Sequence, residues 1–362
     1  MKSFKKLFTS KPRTHIPESS FKFGGMASLK TLDVVPSPAE DAQKIKNAFI
    51  GLGTDEDAII EILGHRDANQ RQKIRETYRL LFNETLIDGL NKEVSGDFGK
   101  AVILWTYDPC ERDARLANEV LKSKKKGIKH LEVIVEMSCA SSPQHLVGVR
   151  KAYCDLFNSS LEEDILVSVP MPLRKENEES EPKLLSVFIL LKCSYLVGLV
   201  TSYRYDKEMV DKDVAKLEAN RLHESIKSKD LAHDDVVYIL STRNFYQLRA
   251  TFEHYKEKHG NPIDEDIMKS GKGDLESLLK MVIVCIASPE KHFAQIVGTA
   301  IIGLGTDEDS LTRAIVSRAE IDMMKVKSEY LNIYKSSLDA AVTDDTSGDY
   351  RKFLVTLLGG KI

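Results

Sequence analysis

The sequence predicts an all-α protein built from four related units of about 75 residues. Three observations carry that prediction. The octapeptide IGLGTDED stands at Ile50–Asp57 and again, letter for letter, at Ile302–Asp309. Each copy is followed at one offset by a second related stretch, Glu93-Val94-Ser95-Gly96-Asp97-Phe98 and Asp345-Thr346-Ser347-Gly348-Asp349-Tyr350. Gly51 to Glu93 and Gly303 to Asp345 both span 42 residues. Between these stretches the apolar residues fall at helical spacing: Ala58, Ile59, Ile62 and Leu63 make one face, Ile74, Tyr78, Leu81 and Phe82 another, and Phe98, Val102 and Trp105 a third. No run alternates convincingly with period two, and Gly and Pro sit between segments, so each unit reads as about five short helices.

Two fainter threads extend the repeat. An apolar pair closing on arginine occurs at Ile62–Arg66, Ile239–Arg243 and Ile315–Arg318, with the arginines read as structural groups that hold carboxylates or helix ends. Aromatic anchors at Tyr78, Tyr153, Phe252 and Tyr330 mark all four units, spaced 75, 99 and 78 residues apart. The units are therefore drawn at 36–107, 108–205, 206–289 and 290–362, the second carrying an excess of about 20 residues.

Residues 1–35 precede the units as an N-terminal extension, expected to be flexible. Its first part, Met1–Gly25, has five basic residues before its first acid, Glu18, and lacks the apolar stretch of a secretory signal. It reads as a weak transit-like arm, a plain extension or an artefact of the assigned start, since Met26-Ala27-Ser28 is an alternative start. The excess in unit two is placed at about 175–196, polar at first and then apolar. Leu184–Val200 is 17 residues long with Lys192 in its middle, whereas a span wants about 20 apolar residues without a central charge. It reads as an inserted loop leading into a buried or misplaced helix where the other units have nothing, for which a mis-spliced or atypical isoform is one explanation.

Composition narrows the class. Hydrophobic residues at 42% and charged residues at 30% describe an ordinary soluble chain, and a net charge of −3 gives no global basic field for nucleic acid. Five scattered cysteines without a CxxC argue for a reducing compartment and against a disulfide framework or zinc site.

The octapeptide admits two compatible readings. In one, glycine closes a helix in the left-handed conformation and Thr54 caps the next, with Asp57 completing a capping box. In the other, two glycines around one residue turn the backbone so that carbonyl oxygens converge. Hard cations such as calcium take such oxygens with a carboxylate, here supplied from the second stretch. Competing motifs fail: there is no complete G-x-G-x-x-G after a strand, no P-loop, no EF-hand loop and no H-E-x-x-H.

A four-fold all-α repeat with G-x-G-T and an acid about 40 residues later resembles the annexin family, from about Pro36 to Ile362. SYRYDKE at Ser202–Glu208, SRAEIDM at Ser317–Met323 and loops intact only in units one and four are similar to the plant branch. The resemblance implies a curved disc whose convex face binds anionic phospholipid through calcium. Its ligands, carried over by position, are the carbonyls of Phe49, Gly51 and Gly53 with the Glu93 carboxylate, and those of Ile301, Gly303 and Gly305 with Asp345. Five oxygens would leave room for water or a lipid phosphate on an ion that takes about six to eight. Ile50, Leu52, Ile302 and Leu304 become candidates for membrane contact; Ile50 and Ile302 replace the basic residue that family members often carry there.

The other units depart from the pattern. Unit two has Lys124-Lys125-Lys126 in its loop and Val167-Ser168-Val169-Pro170 at the acid, so no calcium is expected there; its lysines are candidates for direct headgroup attraction or a solvated polar loop. Unit three has Ser228–His233 without glycine. By resemblance to plant annexins His65 is a peroxidase-linked position and Cys139 and Cys285 are redox candidates, although a structural histidine and inert buried thiols are the readings preferred from the residues. The function expected is a non-enzymatic, cytoplasmic, peripheral membrane protein of the stress-response type, with actin or self-association as further partners. The competing classes are an interaction solenoid with vestigial sites and, behind it, a weak peroxidase or nucleotide phosphohydrolase.

Overall fold

A computed structural model describes residues 26–51, 53–123, 128–168, 194–303 and 305–360. Among them every regular element is an α-helix, five to a unit. Unit one holds α1 (Pro38–Ala48), α2 (Glu56–Leu63), α3 (Ala68–Phe82), α4 (Leu86–Glu93) and α5 (Gly96–Thr106). Unit two holds α6 (Pro109–Lys122), α7 (Ile128–Cys139), α8 (Pro143–Phe157), α9 (Leu161–Ser168) and α10, described over 194–201. Unit three holds α11 (Lys212–Lys227), α12 (Asp234–Thr242), α13 (Phe245–His259), α14 (Ile263–Ser270) and α15 (Asp274–Ala287). Unit four holds α16 (Pro289–Ile301), α17 (Glu308–Arg318), α18 (Met323–Tyr334), α19 (Leu338–Asp345) and α20 (Gly348–Leu357). The N-terminal segment 1–25 and most of the insertion lie outside the described residues.

Local chemistry repeats with the helices. The third helix of every unit ends on a left-handed residue, Asn83, Asn158, Gly260 or Lys335, where the helix must turn back. Five residues before each of these caps stands a buried tyrosine: Tyr78, Tyr153, Tyr255 and Tyr330. The anchor of unit three is thus Tyr255 and not Phe252. The two aromatics lie three apart on one helix face, where spacing alone cannot rank them. Tyr255 donates to Asp266 Oδ2 at 3.1 Å, as Tyr153 donates to Asp164 Oδ2 at 2.6 Å. With Tyr255 the anchors are 75, 102 and 75 residues apart.

The insertion also needs redrawing. Tyr195, Leu196, Leu199 and Val200 are buried in α10, which is the fifth helix that every unit has. The apolar end of Leu184–Val200 is therefore core of unit two, and the extra residues precede it. Among the described residues no helix is long and apolar enough to cross a membrane.

The four units bury their apolar faces in two cores. One joins units one and four: Phe98 of α5 meets Phe353 of α20 edge to face, and Trp105 is fully buried with its indole N–H on the Leu63 carbonyl at 2.8 Å. The other joins units two and three, through α7 against α15. Between the two halves several of the buried contacts are polar. Arg318 donates to the Ala140 carbonyl at 3.0 Å and Arg112 to that of Val316 at 3.4 Å. Arg313 of α17 reaches across to Glu132 at 3.1 Å and to Glu136, which also meets His292 Nε2 at 3.0 Å. Burial alone would raise Glu136, but Arg313 and His292 hold its carboxyl below the usual range. Buried charges persist here because each has an opposite partner. The arginines of the second sequence thread are of this kind: Arg66 forks onto Asp41 at 2.7 and 2.9 Å, Arg318 onto Asp322 at 2.7 and 2.6 Å, and Arg243 meets Glu218 at 2.5 Å.

Candidate metal centres

In unit one the chain leaves α1 at Phe49, crosses the two glycines and re-enters helix at α2. Gly51 has φ +145° and Gly53 φ +102°, and a side chain at Gly53 would meet open space. The glycine there answers to backbone conformation and not to crowding. The turn closes with Asp55 N–H donating to the Ala48 carbonyl at 2.9 Å. Asp55, not Thr54, caps α2, accepting from Ala58 N–H at 2.9 Å. Thr54 is freed for a tertiary bond: its hydroxyl donates to the Glu93 carbonyl at 2.9 Å, tying the loop to the end of α4.

Unit four repeats this arrangement. Gly305 has φ +92°, Asp307 N–H donates to the Ala300 carbonyl at 2.8 Å, and Asp307 caps α17 through Ser310 N–H at 3.1 Å. Gly303 does not share the positive φ of Gly51. Thr306 donates to Asp345 Oδ2 at 2.7 Å, so the shorter acid has its carboxylate itself drawn to the loop. In both units the acid sits at the exposed last position of a helix, next to the loop. The donor set present, loop carbonyls and one carboxylate, suits a hard divalent cation. Ile50 and Ile302 stand out of the loops, 69% and 60% exposed.

The two sites border one cleft. A cleft of about 370 Å³ is lined by Glu56, Glu93 and Asp97 of unit one and by Glu308, Asp345 and Asp349 of unit four. Lys100 of α5 reaches the last acid of the far octapeptide, Asp309, at 3.1 Å, and Lys352 of α20 reaches Asp57 at 2.7 Å.

The annexin family model matches residues 40–105, 218–282 and 292–357. This chain belongs to the annexin family. Annexin D3 of Arabidopsis thaliana is 54% identical over 340 residues, covering 93% of this chain and 100% of that protein. Annexin Gh1 of Gossypium hirsutum is 39% identical, covering 92% and 99%. Among solved structures, annexin III superposes with a TM-score of 0.81 at 28% identity over 95% of this chain and all of its own. Calcium-bound annexin (Sm)1 gives 0.75 at 26% identity, covering 92% and 93%.

In this annexin units two and three keep the helices and lack the acid. Ser168 and Ser270 occupy the last helical position that Glu93 holds in unit one. Each folds its hydroxyl back onto its own helix, Ser168 onto Ile165 at 3.0 Å and Ser270 onto Ile267 at 2.7 Å. In unit three His233 takes the capping place of Asp55, and a lysine, Lys229, occupies the left-handed region with φ +58°. Leu52, Leu304 and Lys124, Lys125 and Lys126 lie outside the described residues; Lys122, just before them, pairs with Asp164 at 3.0 Å.

Of the remaining candidates, His65, in the turn after α2, places Nδ1 2.9 Å from the Glu61 carbonyl of that helix. Cys139 and Cys285 are buried; burial pushes the Cys139 thiol up to about 12 and that of Cys285 well above its usual value. Such surroundings withhold the thiolate on which reactivity depends.

Proposed function

We propose that this annexin binds calcium at two sites and uses the bound ions to bridge to anionic phospholipid. The ligands assigned are the carbonyls of Phe49, Gly51 and Gly53 with Glu93, and those of Ile301, Gly303 and Gly305 with Asp345. The observation that carries the reading is the duplicated tie between each G-x-G-T threonine and the distant acidic residue, through Thr54 and Glu93 and through Thr306 and Asp345. A loop and an acid 42 residues apart are joined twice, in the two units that keep both. Calcium-bound relatives of the same fold support the choice of ion.

The mechanism follows from charge and coordination. Each carboxylate offers one formal charge, so affinity in solution is weak, on the order of 10⁻⁵–10⁻³ M. Lipid phosphate fills the open coordination places, and because it binds only the loaded loop, membrane and calcium strengthen one another. Two such sites on one body add avidity when both engage the same surface. Ile50 and Ile302, exposed at the loops, enter the acyl boundary, with Leu52 and Leu304 as further candidates from the sequence alone. The protein is then cytoplasmic at rest and peripheral at membranes when calcium rises, and membrane attachment rather than turnover is its task.

The test is sedimentation with phosphatidylserine-rich liposomes across a calcium titration, comparing the native chain with Glu93→Gln/Asp345→Asn. Calcium-dependent pelleting that disappears in the double variant supports the reading. Pelleting indifferent to calcium and to both substitutions would transfer membrane contact to other surfaces, and absence of pelleting in the native chain would favour an interaction solenoid.

A further inference from the structure

Cys110 is the second residue of α6, at the entrance to unit two. Asp108 caps that helix, accepting from the Cys110 N–H at 2.9 Å and the Glu111 N–H at 3.3 Å. The sulfur faces the first turn of α8, where His145 Nδ1 lies 3.7 Å and the His145 carbonyl 3.8 Å from Sγ. The far side of the imidazole is held in turn. His145 Nε2 is 2.7 Å from Asp113 Oδ2, and Asp113 Oδ1 accepts from Arg112 Nε at 2.7 Å. Burial opposes charge on His145, but its bonds to Asp113 and Cys110 and the Asp113 charge outweigh it, and its pKa is pushed up to about 10. Near neutral pH the ring is therefore a cation with two N–H donors, one engaged by Asp113 and one facing the sulfur.

Two further features fit a site and not a packing accident. Gly148 of α8 makes the room: a Cβ there would come within 2.5 Å of Sγ. The neighbours of the sulfur border open space: Pro109, Arg112, Asp113 and His145 line a cavity of about 730 Å³ whose wall is mainly apolar, although Cys110 itself is not part of that wall. Cys110 is partly exposed, in contrast to the buried Cys139 and Cys285. A nucleophile, a cationic imidazole beside it and a carboxylate orienting that imidazole form the arrangement that activates sulfur elsewhere.

We propose that Cys110 is a covalent modification site, a thiol that exchanges with low-molecular-weight disulfides with His145 as its positioning residue. The chemistry balances without a further oxidant. The thiol releases its proton to solvent, and the thiolate accepts the Nδ1–H of the imidazolium. The sulfur then attacks one sulfur of the incoming disulfide. The old S–S bond breaks, a mixed disulfide on Cys110 forms, and the departing thiolate takes up a proton. His145 keeps its charge throughout, and Asp113 and Arg112 keep its ring in place.

The experiment treats the folded full chain at pH 7 with limiting oxidised glutathione, quenches in acid and reads every cysteine separately by peptide mass spectrometry. The exposed Cys154 is the internal reference. Cys110 is expected to gain the adduct about 10-fold faster than Cys154, and His145→Gln to remove that advantage while Cys154 is unchanged. Equal rates at the two cysteines, or a Cys110 rate unmoved by His145→Gln, would overturn the proposal. Should the variant fail to fold, the native chain still decides. The ratio of Cys110 to Cys154 labelling is expected to be largest near pH 6 and to fall towards one near pH 9, and a ratio that does not change with pH refutes it.

Discussion

Units one and four differ from units two and three in what stands at their loops, not in what holds them together. All four end their third helix on a left-handed residue and bury a tyrosine five positions earlier. Yet the acid of units one and four is Ser168 in one of the others and Ser270 in the second, and each serine hydroxyl donates back to its own helix. The fold thus survives without the glycines and acids of the loops. Glycines at positive φ and an exposed carboxylate are not what helix packing requires here, and that contrast is what the proposed calcium sites rest on.

The comparison can be broken most forcefully through the cores. Tyr330→Ala in one half and Tyr255→Ala in the other should each cost about 3–5 kcal/mol by chemical denaturation, as large buried aromatics do. Markedly unequal losses would show that the halves are not equivalent scaffolds.

A smaller effect separates them at alkaline pH. Arg66–Asp41 and Arg318–Asp322 use guanidinium, which accessible pH does not discharge, whereas the half formed by units two and three also relies on His145–Asp113. The folded pKa of His145 is raised to about 10 from an ordinary value of 6.5. Its contribution is therefore complete below pH 6.5 and is lost as pH climbs through 10. Denaturation at pH 7, 8.5 and 10 should show this decline, and His145→Gln should flatten it; an equal decline in the variant would assign it elsewhere.

The smallest expected effect is none. Ser168→Glu and Ser270→Glu restore an acid without restoring a glycine loop, and calorimetric titration should still count two calcium ions per chain. A third ion would mean that the carboxylate suffices alone.

Much of this was legible in the residues. The helical period marked the elements, and the repeated 42-residue offset pointed from each loop to the acidic residue that its threonine meets. What escaped was decided by tertiary contact. Thr54 and Asp55 can each cap a helix, and only the Glu93 carbonyl 2.9 Å from the Thr54 hydroxyl settles which one does. The buried face of α10 was hidden because extra residues run directly into it. Cys110 and His145 are 35 residues apart and meet through the packing of α6 on α8, a relation with no local signature. The pairing of unit one with unit four, not with its neighbour, is equally silent in the sequence.

That pairing has a consequence in time. The chain is made from its N-terminus, and unit one shares its core with a unit whose first helix starts at Pro289. Units two and three can close on each other as soon as α15 emerges, while the apolar faces of α2 and α5 wait for α17 and α20. At about 5–20 residues per second that wait lasts on the order of ten seconds or more. The first unit synthesised is thus among the last to be finished, and the nascent chain carries half a core in the open until its final helices arrive.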